Sequence, residues 1–137
     1  MALVLDASVA VKWFLHDELS PEARAVLDRV RDDGALVPAL FRWEVQSVVV
    51  RAYRDGRLSE ELMETALTSL RDLPIAIEDP GRRLMFGGEA ALSLRYDVTP
   101  YDAAYLAVAL DYALPLATAD SDLAHAARDA GIVVQYV

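Results

Sequence analysis

Cysteine is absent from the 137-residue chain, which removes disulfide frameworks, thiolate zinc sites and a cysteine nucleophile together and suits a reducing cytosol. Histidine is scarce: His16 and His125 stand far apart, so zinc is disfavoured and both read as ordinary surface residues. Positive charge is scarce as well, with 13 Lys and Arg against 22 Asp and Glu and a net charge of −9. Such a molecule repels phosphate backbones as a whole, which argues against generic coating of nucleic acid. A polyanion is admitted only where metal ions or an Arg cluster reverse the local field. No apolar run approaches the length of a membrane span. The apolar start "MALVLDASVAVKWF" is broken by Asp6 and followed by Lys12, with no basic segment before it, so it is not expected to be a signal peptide. There is no Gly-, Ser- or Gln-rich tract and no repeat. With 55% apolar residues, the expectation is a single domain over residues 1–137.

What is present is an alternation of short apolar runs with helical patterns. Strands are expected at about residues 2–5 ("ALVL"), 35–38 ("ALVP"), 74–77 ("PIAI"), 115–118 ("PLAT") and 132–137 ("IVVQYV"). Helices are expected at about residues 8–15, 21–32, 39–55, 59–73, 81–95, 99–112 and 121–130. Ser20 followed by Pro21, and Thr99 followed by Pro100, are caps ahead of a first-turn proline. Strands that alternate with helices imply an α/β fold with a mostly parallel sheet and helices on both faces.

In such a sheet the ligand crevice lies beyond the carboxyl ends of the strands. Asp6 ends the first strand, and Asp120 follows the "PLAT" strand with Asp122 two residues on. Asp102 lies in the first turn of one helix and Glu44 early in another, and both are placed to face the same edge. Each acid also has a plainer reading. Thr99 and Asp102 fit a capping box, Asp120 or Ser121 caps the following helix, Asp122 sits near His125, and Asp6 caps the first helix. Glu44 resists that reading, because its helical neighbours Leu40, Phe41, Ser47 and Val48 include no cation. Two carboxylates at about 4 Å repel by roughly 4 kcal/mol at an effective dielectric near 20. A cluster of four would therefore take up much of the roughly 5–15 kcal/mol that keeps a domain folded. Positive charge must lie between them, and all-oxygen ligands favour Mg2+ or Mn2+. Hard cations in such a cluster suit phosphodiester hydrolysis.

The segments "LVLDASVAVKWF", "WEVQSVV", "TPYDAAYLAVAL" and "LPLATADSDL", in that order, resemble a PIN-domain ribonuclease, specifically the VapC-like toxins of toxin-antitoxin pairs. The resemblance covers essentially the whole chain. It implies a PIN-like three-layer α/β/α fold, with Asp6, Glu44, Asp102 and Asp120 as catalytic, metal-binding acids, Asp122 as a further metal ligand, and Ser8 and Thr118 in support. It also implies an Mg2+ or Mn2+ cofactor and an RNA substrate such as tRNA or ribosomal RNA. A cognate antitoxin, a homodimer and a cytoplasmic location follow from it too. Ser47 stands where such toxins commonly carry Asn, and bulky Trp43 precedes Glu44. Lys12, Arg51, Arg54, Arg57, Arg82 and Arg83 are candidate guides for the RNA backbone, although each also reads as a solvated surface charge. Two other classes compete: a catalytically silent binding module whose acids only cap helices, and a phosphoacceptor receiver. The receiver needs an acidic pair after the first strand and a late Lys, whereas here Ala7 follows Asp6 and the last Lys is Lys12.

Overall fold

The computed structural model describes residues 1–79 and 85–137. Its elements run β1 (Leu3–Leu5), α1 (Ala7–Ala10), a 3-10 turn (Val11–Trp13), α2 (Pro21–Asp33), β2 (Ala35–Val37), α3 (Phe41–Arg54), α4 (Glu60–Asp72) and β3 (Ile75–Ile77). They continue with α5 (Gly88–Tyr96), α6 (Pro100–Tyr112), β4 (Leu116–Thr118), α7 (Ser121–Asp129) and β5 (Val134–Tyr136).

The caps expected at Ser20 and Thr99 form, and Ser59 caps α4 in the same way: Ser20 accepts from Ala23 N–H at the start of α2, and Ser59 accepts from Leu62 N–H at the start of α4. At α6, Thr99 accepts from Asp102 N–H. Two helices differ from expectation. The helix expected over about residues 8–15 is a single α-turn that tightens into the 3-10 turn at Val11. The helix expected from residue 81 begins at Gly88 after a turn at Met85–Gly87, and its expected start, with Arg82 and Arg83, lies outside the described residues.

All strands pair in parallel, in the order β3-β2-β1-β4-β5. Successive strand side chains point to opposite faces, yet Leu3, Val4 and Leu5 are all fully buried. Both faces of the sheet centre are therefore covered, giving the expected three layers. The chain leaves β1 toward β2 and β3 on one side and later returns to β4 and β5 on the other. That reversal makes the carboxyl ends of β1 and β4 the topological switch point, where α/β sheets open a crevice. The register Leu5↔Ala117 brings Asp6 level with Thr118 across that point.

Candidate active site

Asp6 occupies the position before α1, but its side chain makes no cap bond there. Instead, oxygen Oδ2 accepts from the Ser8 hydroxyl at 2.6 Å and from the Thr118 hydroxyl at 2.7 Å. Those hydroxyls are themselves fixed, since Ser8 Oγ accepts from Ala119 N–H at 2.9 Å and Thr118 Oγ1 accepts from Asp120 N–H at 3.0 Å. A closed ring of hydrogen bonds thus ties the end of β1 to the end of β4. Asp6 is only 6% exposed, and Thr118 is fully buried. Burial pushes the Asp6 carboxyl above its usual range, the two hydroxyls pull it back, and the charge of Asp120 pushes it up again.

The remaining acids sit on first turns. Asp120 is the N-cap of α7, its Oδ1 accepting from Asp122 N–H at 2.9 Å and Leu123 N–H at 3.1 Å. Glu44, in the first turn of α3, accepts from the Tyr105 hydroxyl at 2.6 Å. Burial raises Glu44 above its ordinary value, with the Asp6 charge adding to the effect. Asp102, half-buried in the first turn of α6, is pushed up to about 6 by burial and then by the charges of Asp120, Asp6, Glu44 and Asp122. None of these five acids is in an ion pair among the described residues. Each carboxylate that is held, Asp6, Glu44 and Asp120, is held through one oxygen. As the side chains stand, no three or more Asp, Glu, His or Cys residues among those described close into a metal cage. The donor set is nonetheless carboxylate oxygen throughout, mutually repelling and without a neutralising side chain, which is the chemistry a hard divalent cation fits.

The sequence pattern of the PIN domain family matches residues 3–129, so every acid named here lies inside it. The chain belongs to the PIN domain family. It is 30% identical over 124 residues to Ribonuclease VapC3 of Pyrobaculum aerophilum, covering 90% of this chain and 93% of the relative. It is 34% identical over 124 residues to Ribonuclease VapC1 of Mycobacterium tuberculosis, covering 80% of this chain and 91% of the relative. The fold of this PIN domain also superposes on the crystal structure of PAE2754 from Pyrobaculum aerophilum with a TM-score of 0.67. That match covers 98% of this chain and 90% of the other at 19% identity.

Within the PIN domain, three sequence expectations change. The Thr99–Asp102 capping box forms in one direction only: Asp102 N–H donates to Thr99, while the Asp102 carboxylate makes no return bond. His125 lies 3.4 Å from Asp129, one turn on, and so pairs with that residue instead of Asp122. Arg57 binds Asp17 at 3.0 Å and Glu18 at 3.1 Å, which commits this guanidinium to the protein itself and removes it from the free surface cations. Tyr105 was missed from sequence. Its signal was present, because it lies at i+3 from Asp102 on α6 and a buried tyrosine hydroxyl requires a partner.

Proposed function

We propose that the chain is an Mg2+- or Mn2+-dependent endoribonuclease, the toxin of a toxin-antitoxin module. In this reading it works in the cytoplasm as a homodimer on RNA such as tRNA or ribosomal RNA, and a cognate antitoxin inhibits it. One arrangement carries the reading: Asp6 at the end of β1, Glu44 in the first turn of α3, Asp102 in the first turn of α6, and Asp120 and Asp122 at the start of α7 are near enough for the others to raise the Asp102 carboxyl, and none of the five is in an ion pair among the described residues. The relatives named as ribonucleases, aligned over most of their length, give it independent support.

Asp6, Glu44, Asp102 and Asp120 would hold the cation, with Asp122 completing the set. When bound, it would neutralise the acids, polarise the phosphate and lower the pKa of a water. The chain's own groups do the positioning. Ser8 and Thr118 fix Oδ2 of Asp6 and leave its other oxygen for a ligand. Tyr105 does the same for Glu44, and the α7 N–H groups do so for Asp120. Asp102 and Asp122 have no such tether, so their carboxylates are the ones free to turn toward an arriving cation. Hydrolysis would leave a 5′-phosphate and a 3′-hydroxyl.

A silent binding module is the second reading, favoured by the cap that Asp120 makes to α7. Incubation of total RNA with the protein and Mg2+ or Mn2+ separates the two. The expected outcome is cleavage that EDTA abolishes and that Asp6→Ala or Asp102→Ala lowers by at least about a hundredfold, since even outer-shell changes at metal sites cost about 10- to 100-fold. Cleavage that persists undiminished in either variant would overturn the assignment.

A further inference from the structure

Among the described α-helices of this acidic chain, all but one are neutral or negative. The exception is α3, where Arg42, Arg51 and Arg54 stand against a single acid, Glu44, so the helix is net positive in a molecule of net charge −9. At 3.6 residues per turn each residue advances by about 100°, so Glu44, Arg51, Ser47, Arg54 and Trp43 fall, in that angular order, within an arc of about 100°. They form one stripe that starts at Glu44 and runs toward the end of the helix. A shallow groove of about 380 Å³ follows it, with Trp43, Ser47, Arg51 and Arg54 in its lining and Asp55 as the one acid there. The Arg42 guanidinium lies 4.6 Å from the Trp43 ring centre and holds the indole at the Glu44 end. Arg51 and Arg54 are exposed, and neither is in an ion pair among the described residues. Residues 80–84, which read PGRRL, contain no carboxylate to neutralise them.

We propose that this stripe is the path of the RNA backbone beside the cut, with Arg51 and Arg54 as positioning residues that hold phosphates flanking the one at the acids. The proposal rests on the ribonuclease reading given above and adds the route of the substrate to it. Charge selects the route. The rest of an acidic surface repels a polyanion, so the one helix with a positive balance marks where phosphates can lie. Arg51 is seven residues from Glu44, a rise of about 10 Å along the axis at 1.5 Å per residue. The cations therefore lead to the acids. Ser47, between Glu44 and Arg51, is small enough to let a strand lie against the helix, and Trp43 walls the groove at its Glu44 end. Because the stripe ends at a proposed phosphate-cleaving site, a phosphate chain fits it better than an acidic protein segment does. Phosphate contacts position a substrate without reading its bases, so the stripe sets affinity and not the sequence that is cut.

The test measures binding of end-labelled bulk tRNA to the full chain in Ca2+ over a series of NaCl concentrations, in parallel with its cleavage in Mn2+. Log affinity falls with log salt by roughly 0.7 to 0.9 for each phosphate contacted. Arg51→Gln and Arg54→Gln are each expected to reduce that slope by about the value for one phosphate. Each should also raise KM severalfold with kcat unchanged, because a contact away from the reacting phosphate is equally strong before and during the reaction. Arg51→Lys and Arg54→Lys keep the charge and should keep the slope. Arg31→Gln is the control, since Arg31 lies near the end of α2, where the chain enters β2 at the opposite edge of the sheet, and it should match the parent. A slope lowered as much by Arg31→Gln would overturn the proposal. A slope unmoved by Arg51→Gln and Arg54→Gln would overturn it too and leave the stripe to an acidic protein partner. Cleavage keeps the two readings distinct. A slope that follows the two arginines on RNA the parent never cuts preserves the phosphate stripe and removes the ribonuclease reading, whereas metal-dependent cutting with KM and slope indifferent to both arginines does the reverse.

Discussion

Thr118 shows how much one hydroxyl can hold: it donates to Asp6 and accepts from Asp120 N–H while fully buried. Thr118→Val keeps the shape and removes both bonds. It should destabilise the fold by about 1–3 kcal/mol, the range for leaving buried polar groups unpaired, as read by urea unfolding. Thr118→Ser should restore most of that loss. Tyr105→Phe is a milder change that frees Glu44 of its donor. Because that bond lowers the Glu44 pKa, its loss should raise it further. Calorimetric titration should show Mn2+ affinity weakened by about 10- to 100-fold, the usual effect of removing a group that orients a ligand, and unchanged affinity would refute the positioning role. Asp102 sets a pH dependence of known sign. Its folded pKa of about 6 lies above the ordinary aspartate value, so the folded state holds this proton more tightly. Its contribution to stability is therefore fullest at low pH and declines as pH rises through that window. Asp102→Asn should be more stable than the parent at pH 7 without metal and lose the advantage near pH 4, a crossover that melting temperatures in EDTA will reveal or deny. Cation binding requires the ionised carboxylate, so it should strengthen over the same rise in pH.

At the scale of elements, helix starts carry the acids to the sheet edge. Thr99 fixes the start of α6 through Asp102 N–H, and Asp102 and Tyr105 both ride on that helix. Thr99→Ala should cost about 0.5–2 kcal/mol, the ordinary range for an N-cap. It should also lower activity more than an equal loss from Ser59→Ala, whose cap serves α4 away from the acids. Equal activity losses at equal stability would show that the α6 cap is structural only. These starts were legible, because Ser or Thr followed by Pro or Glu leaves a chemical signature that needs no tertiary context. The break after α1 was not. Apolar periodicity runs on through Trp13 and Phe14, whereas the structure tightens there and buries the Trp13 indole against α2, its N–H donating to Ala23 C=O at 2.8 Å.

Across the whole molecule, a net charge of −9 coexists with relatives that are named ribonucleases. Under the proposed function, a cation shared by the acids would reconcile the two by removing local repulsion and reversing the sign of the field where RNA would lie. Millimolar Mn2+ should raise the melting temperature of the parent, since a ligand bound only by the folded state stabilises it. It should do so far less in Asp6→Ala, and equal shifts would place the cation elsewhere.

The amino-acid sequence alone determined the alternation of strands and helices, the caps, and which acids stand at strand ends and first turns. Those features depend on local periodicity and on hydrogen bonds between near neighbours. Strand order lay beyond it. Only the tertiary structure set β1 beside β4, which brings Ser8 and Thr118, 110 residues apart, onto the same oxygen of Asp6. Only it matched Tyr105 to Glu44 across 61 residues. Such pairings come from burying strands on both faces against helices remote in the chain, and no local pattern encodes which remote partner will arrive.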